Sequence, residues 1–218
     1  MRKELIIFPF GGNGREALLS VLACNMLKKG WDVLGFIDDD KSTHGKECCG
    51  VKVLGGRDML KRHPGSSVLA VPGSPESYLK RKSIIEGLLP ERGRFATVIH
   101  PSAVIAPDAV IGSNTVIMAN VVISCGVKIG ENCVILPNTV ISHDSIVGAY
   151  SCVGSNVTIS GGDIIGSECY IGSGVRIRER IKVGDRSLAG MGANIVSDVG
   201  EGVVVVGNPA RPIRKAAA

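Results

Sequence analysis

The 218-residue sequence has no run of about 18 apolar residues, so no membrane-spanning helix is expected despite a mean hydropathy of +0.26. The opening "MRKELIIFPFGG" has too short an apolar run for a secretory leader, and a cytoplasmic protein is expected. Aromatics are scarce, with one Trp, three Tyr and four Phe. That scarcity argues against the base-stacking platforms of single-strand nucleic-acid binders. The net charge of +5 suits small anionic ligands and does not point to nucleic acid. The seven Cys are odd in number and show neither CxxC nor zinc spacing, so they read as small buried thiols of a reducing compartment. The adjacent Cys48 and Cys49 read as a packing or loop feature. Histidine is also sparse: His44, His63, His100 and His143 are all there are.

What the chain does have is glycine, 29 residues of it, mostly in the second half. There the sequence divides into sixes from residue 99 to 200, running from IHPSAV to IVSDVG without interruption. The first position is Ile in thirteen hexads, Val in three and Ala in one. At 44% apolar composition, seventeen apolar residues in one phase would arise by chance roughly once in a million. Such hexads predict short strands joined by tight corners, three to a triangular coil, with residues 18 apart stacked about 4.8 Å from one another. Gly and Asn near the corners supply the positive φ that other residues resist.

The first 98 residues read differently. "ELIIFPF" predicts a buried strand and "GGNG" a turn. "REALLSVLACNMLKKG" places Leu18, Val21, Leu22 and Met26 at helical spacing and ends on Gly30. "WDVLGFIDDD", "VKVLGG", "SSVLAVPG" and "FATVIHP" predict further strands, with "RDMLKRH" and "PESYLKRKSIIEGLL" as helices between them. Alternation of strand and helix implies a parallel, Rossmann-like sheet. The expected division is therefore an α/β domain over 1–98 and a β-helix with a C-terminal tail over 99–218, with Ile99 serving both.

Two features suggest chemistry. The turn "PFGGNGR" can set a phosphate against a helix N-terminus, although Pro9 stands where a full dinucleotide fingerprint has its first Gly. Asp38, Asp39 and Asp40 end the next strand, where such sheets contact a ribose or base, and where a plain loop would also carry acids. In the repeat, "NTVISHDSIVG" sets His143 beside Asp144. Neighbours on a strand point to opposite faces, so the two cooperate only if the chain turns between them, as a hexad corner would make it do. An imidazole oriented by a carboxylate is a good general base near pH 7. A metal is not expected, because no second His lies within the neighbouring coils.

The Gly turn and "IDD", the hexads, the "HD" corner and the tail "VVVGNPARPIRK" together resemble the sialic acid O-acetyltransferase and nucleotide-sugar N-acetyltransferase family of hexapeptide-repeat acyltransferases. The resemblance spans nearly the whole chain. It implies a left-handed helix and a homotrimer with sites between subunits. It also implies acetyl-CoA as co-substrate, no metal, and a nucleotide-linked amino sugar held by the N-terminal domain. Its catalytic His matches His143 and the acidic neighbour Asp144, with the oxyanion-stabilising amide at Gly161, one coil on. The nucleotide loop matches Gly11, Gly12 and Asn13, the paired acids Asp38 and Asp39, and a later nucleotide contact Gly73. Cofactor contacts fall on Gly161, on Ser173 and Met191, each a coil further on the same ridge, and on Cys152, where many relatives carry a second His. Arg178 and Arg180 are candidates for the coenzyme phosphates. Transfer to a sugar hydroxyl, or a non-catalytic scaffold, are the alternatives.

Overall fold

The computed structural model describes residues 3–27, 30–88 and 92–216. Strand β1 (Lys3–Phe8) is flanked in parallel by β2 (Trp31–Phe36) and β5 (Ser67–Ala70). Parallel bridges Phe36–Val53 and Val68–Phe95 extend the two edges. Both faces of such a sheet are covered, which is why "LIIF" is apolar without alternation: Leu5, Ile6 and Ile7 have no exposed surface and Phe8 has 4%. Helix α1 (Gly12–Leu27) buries Ala17, Leu18 and Val21 on one side. The last residues before its expected end at Gly30, 28 and 29, lie outside the described residues.

Two local expectations differ. "VKVLGG" does not run as a sheet strand. Its first residues, β4 (Val51–Lys52), turn back antiparallel on β3 (Glu47–Cys48), and Val53 alone joins the sheet. Cys49 and Gly50 form that turn with φ of 49° and 77°, the pairing a two-residue hairpin of this hand demands. The segment read as one helix from Pro75 divides into a 3₁₀ turn, Tyr78–Lys80, and the short α3 (Arg81–Glu86); residue 89 lies outside the described residues.

From Val98 onward the chain is a parallel β-helix of two-residue strands, and every partner lies 18 residues away: Val98 on Val116, Val104 on Val122, Val110 on Lys128. The hexad Ile and Val stack along the axis, and Ile117, Ile135, Val153 and Ile171 are fully buried. Each such Ile contributes roughly 1.5–3 kcal/mol. Corners are made at the fourth hexad position. All fourteen fourth-position residues from Asn114 to Gly192 have positive φ. Asn and Gly take this at little cost, and they occupy most of the sites.

Three faces result. Face I carries Val98, Val116, Val134, Cys152, Tyr170 and Leu188 outward. It is apolar because the N-terminal domain sits on it: Leu5, Ile7, Leu18 and Val21 share one core with Val98, Val116, Val134 and Cys152. Face II carries Val104, Val122, Val140, Thr158, Arg176 and Asn194. Face III carries Val110, Lys128, Ile146, Ile164 and Lys182. At the end of the helix the antiparallel pair Val203–Val206 and Arg211–Lys215 joins the sheet of face I.

The corner between faces III and I locks the two parts together. Asn114 mimics a strand, accepting from the Ala70 N–H at 2.8 Å and donating to the Ala70 carbonyl at 3.0 Å. Arg81, fully buried, donates to the carbonyls of Tyr150 (3.0 Å), Asn132 (2.5 Å) and Pro72. The Tyr78 hydroxyl reaches the Arg186 carbonyl at 3.0 Å.

Candidate active site

His143 and Asp144 stand at the corner between faces II and III. Asp144 has φ of 59°, so the chain turns at that residue and both side chains leave on the same side. The His143 Nδ1 lies 3.0 Å from Asp144 Oδ2. An ionised Asp144 accepts from Nδ1–H, which leaves Nε2 with its lone pair free as a base. The two side chains are 62% and 73% exposed, and so open a pair adds little to stability. A left-handed Asp also costs on the order of 1 kcal/mol.

Two glycines make room for the pair. At Gly161 a Cβ would stand 2.5 Å from His143 Nε2, so the imidazole lies across the glycine one coil on. At Gly126 a Cβ would stand 2.5 Å from Asp144 Oδ1, one coil back. Gly126 was not singled out in the sequence, though the 18-residue register points to it. Third-position amides stand outside the ladder: Ser155 N–H donates to Ser173 Oγ at 3.2 Å and Ser167 N–H to Asp185 Oδ1 at 2.8 Å. The Gly161 N–H donates to no partner among the described residues. The Gly161 carbonyl accepts from Arg180 N–H at 3.1 Å, fixing the peptide from the next coil.

At the carboxyl edge of the N-terminal sheet the structure gathers the other predicted residues. Asn13 Nδ2 donates to the Gly73 carbonyl at 3.1 Å, and Asp38 Oδ2 accepts from Phe10 N–H at 3.0 Å. A Cβ at Gly12 would meet nothing and one at Gly11 only the Pro9 ring at 3.7 Å, whereas a Cβ at Gly14 would meet the Pro9 carbonyl oxygen at 1.9 Å. Gly14 is thus the packing glycine of "GGNG", and the first two leave room for a ligand. The acids carry structural duties. Asp38 also accepts from Asp40 N–H, and Asp39 pairs with Arg57, whose hydrogen bonds hold its carboxyl below the ordinary value. Asp40 caps the turn Lys41–Thr43 through Ser42. His44, which the sequence reading left without a role, joins this edge through Nε2, 2.8 Å from the Asp38 carbonyl.

The other expected cofactor residues stand away from the His143 corner. Cys152 is 4% exposed on face I beneath the N-terminal domain, and burial raises its thiol pKa. Nine residues after His143 is half a coil, so this residue is on another side of the prism. Ser173 and Met191 do share a ridge, but 161 and 173 are 12 apart, so that ridge is the corner between faces I and II. Met191 is 82% exposed there. The same corner faces α1 across a groove of about 380 Å³ lined by Glu16, Leu19, His100, Met118, Pro137 and Ser155. A second groove of about 380 Å³ on face II is lined by Ser160, Arg176, Arg178, Asn194 and Asn208. Among the described residues no three metal-binding side chains cluster, and no helix is long and apolar enough to cross a membrane.

Residues 95–206 match the family model of the GMPPB C-terminal domain. No curated protein sequence matches the chain. Among solved structures, PerB from Caulobacter crescentus, in complex with CoA and GDP-perosamine, is 26% identical, with a TM-score of 0.83 over 98% of each chain. Variants of that perosamine N-acetyltransferase with one histidine replaced by Asn or Ala have also been solved with the same ligands. The acetyltransferase domain of PglB from Neisseria gonorrhoeae, in complex with acetyl coenzyme A, is 27% identical, with a TM-score of 0.86 over 98% of this chain and 100% of that one. WeeI from Acinetobacter baumannii, 22% identical with a TM-score of 0.68 over 98% of this chain and 100% of that one, shares the fold. Through residues 95–206 the chain belongs to the GMPPB C-terminal domain family, and in its whole architecture it is a hexapeptide-repeat acyltransferase.

Proposed function

We propose that the chain transfers an acetyl group from acetyl-CoA to the amino group of a nucleotide-linked amino sugar, with His143 as general base, at sites formed between the subunits of a homotrimer. The observation that carries this reading is the His143–Asp144 pair lying over Gly161 at an exposed corner, where stability gives no reason for it. The neutral sugar amine attacks the thioester carbonyl. As the C–N bond forms, His143 Nε2 takes the proton the nitrogen loses, and Asp144 holds the ring and balances its charge. The Gly161 N–H donates to the oxyanion. Collapse breaks the C–S bond, and the thiolate leaves with the proton from His143. The basic groove with Arg176 and Arg178, and Arg180 beside it, suits the coenzyme phosphates, and the Ser173–Met191 ridge of a neighbouring subunit suits its pantetheine arm. The edge made by Gly11, Gly12, Asn13, Asp38, Asp39 and Gly73 suits the nucleotide. PerB and PglB bind ligands of these two kinds. The groove between α1 and the corner of faces I and II is the natural place for the sugar.

The test is steady-state kinetics with acetyl-CoA and GDP-, UDP- and dTDP-linked amino sugars, beginning with GDP-perosamine, with the hydroxyl analogue of each as control. The expected outcome is acetylation of one amino sugar, and a kcat lowered roughly 10²–10⁴-fold in His143→Ala with acetyl-CoA affinity retained. Acetylation of the hydroxyl analogue at equal rate would overturn the amine assignment. A His143→Ala variant with wild-type kcat would overturn the base.

A further inference from the structure

Directly behind the His143 corner the helix core holds a carboxyl group that the proposed reaction does not use. Asp163 occupies the fifth position of its hexad, has no exposed surface, and has one oxygen, Oδ2, without a hydrogen-bond partner. Its equivalents show what that position does. Thr115, Cys133, Thr139, Ser145, Ser151 and Cys169 each donate to the carbonyl fifteen residues on. Thr115, Thr139, Ser145 and Ser151 also accept from the N–H eighteen residues on. Where it is polar, the position is therefore a vertical stitch that donates and, in four of these six residues, also accepts; elsewhere, as at Val127 and Ile181 of the same corner, it is apolar.

Asp163 fulfils half of this. Its Oδ1 accepts from Ile181 N–H at 2.8 Å, eighteen residues on. Fifteen residues on is the Arg178 carbonyl, which accepts from no donor among the described residues. A carboxylate cannot complete that stitch, because it has no proton and would set a lone pair against a lone pair. A carboxylic acid completes it, accepting on one oxygen and donating from the other. We propose that Asp163 is held as the neutral acid in the folded protein, its Oδ2–H donating to the Arg178 carbonyl, and that this proton positions the corner bearing Gly161.

Burial pushes this carboxyl up to about 6, against the backbone amides of Ile181 and Ser160, which favour the ionised form, and with Glu179 adding a smaller push upward; a hydrogen bond donated to the Arg178 carbonyl would add to that shift. Other charged groups on the flanking coils are His143 and Asp144 on one side and Arg178, Arg180 and Lys182 on the other. They stand on exposed corners and faces. The link to the Gly161 corner is short: Asp163 lies two residues on in the chain, and its N–H donates to Ser145 Oγ, which donates to the Ser160 carbonyl at 2.7 Å. The chemical importance of that corner rests on the acetyl-transfer reading; the protonation does not.

Titration of the full-length protein by carbon NMR, with its aspartate carboxyls labelled, tests the protonation. The expected result is one carboxyl that stays protonated to about pH 6 or above and is missing from the spectrum of Asp163→Asn. A spectrum in which every carboxyl ionises below about pH 5 overturns the proposal, whatever the variants do. Thermal unfolding against pH gives the second readout. A raised folded-state value means that the folded protein binds the proton more tightly, so stability is fullest below about pH 4 and is lost as pH rises through the folded value. The wild-type Tm should therefore fall relative to Asp163→Asn, whose amide both donates and accepts at every pH. Parallel curves would overturn it. Neither readout uses acetyl transfer, so failure of the enzymatic reading would leave both standing.

Discussion

At the scale of single residues, the site depends on two absent side chains as much as on the two present. Gly161 does not have a left-handed φ, so Ala is compatible with its backbone, and the substitution should leave unfolding nearly unchanged or raise it by about 0.4–1 kcal/mol. The new methyl would stand 2.5 Å from Nε2 and must displace the imidazole. Gly161→Ala is therefore expected to keep its Tm and lose kcat by at least about tenfold, since misplacement by an ångström suffices for more. Gly126→Ala differs. Its φ of 68° makes Ala cost about 1–2 kcal/mol, and the methyl presses on Asp144 Oδ1. That variant should lose both Tm and kcat. Calorimetry beside kinetics separates the two patterns. If Gly161→Ala has full activity, the ring does not work in the position observed.

At the scale of elements, the corners record their own use. The fourth position favours Gly or Asn, and the corner between faces I and II holds Asn120, Asn138, Asn156, Gly174 and Gly192. The costly residues lie on the other two corners. Tyr150, Glu168 and Arg186 stand at the corner that meets the N-terminal domain, where the Tyr150 carbonyl receives Arg81 and the Arg186 carbonyl receives Tyr78. Asp144 and Arg180 stand at the corner proposed for catalysis. Arg81 is the centre of the inter-domain seam, a buried cation held by the carbonyls of Tyr150, Asn132 and Pro72 and beside the Cys152 thiol. Arg81→Met should strip the buried Pro72 and Asn132 carbonyls of this donor and lower unfolding stability by about 3 kcal/mol. It should also loosen the Pro72–Gly73 turn, and so raise KM for the nucleotide-sugar more than for acetyl-CoA. Chemical denaturation and the two KM values check this; an unchanged midpoint would show the seam to be redundant.

The repeat was fully legible in the sequence because one residue type in one phase fixes strand, corner and stack together, down to the 18-residue register that brings Gly161 under His143. The residues that stand elsewhere than expected are those the register does not govern. Cys152 was placed by counting from a relative's second His, and the count ends on a face that the N-terminal domain covers. Ser173 and Met191 stand on a different ridge from Gly161, because 12 is not a multiple of 18. The hairpin at Glu47–Lys52 escaped because "VKVLGG" is apolar enough for a sheet strand, and only the φ of Cys49 and Gly50 decides. Arg81 gave no signal at all: in sequence it is one cation among several in an amphipathic helix.

At the scale of the whole molecule, the prism itself argues for more than one chain. Each corner of a triangular coil lies opposite one face. The His143 corner, between faces II and III, is opposite face I, on which this chain's own N-terminal domain rests. A side of six residues is on the order of 15–20 Å, so the nucleotide edge and His143 of one chain are separated by the body of the helix. Faces II and III meanwhile expose Val104 (64%), Val110 (58%), Ile146 (38%) and Ile164 (38%), apolar residues with no cover in a single chain. A second copy accounts for both facts if its His143 corner meets the α1 groove of the first, and closed repetition of that contact around a threefold axis gives a trimer. Sedimentation should accordingly show a trimer at assay concentration. Subunit mixing tests the composite site directly. His143→Ala should be inactive for want of the base, and a loop variant such as Gly12→Trp for want of nucleotide binding. Co-refolded in equal amounts, they should recover about a quarter of wild-type activity, because one site in four then receives an intact corner from one chain and an intact loop from another. A site built within one chain would recover none, since each chain carries one lesion, and that result would return the nucleotide and the base to the same subunit.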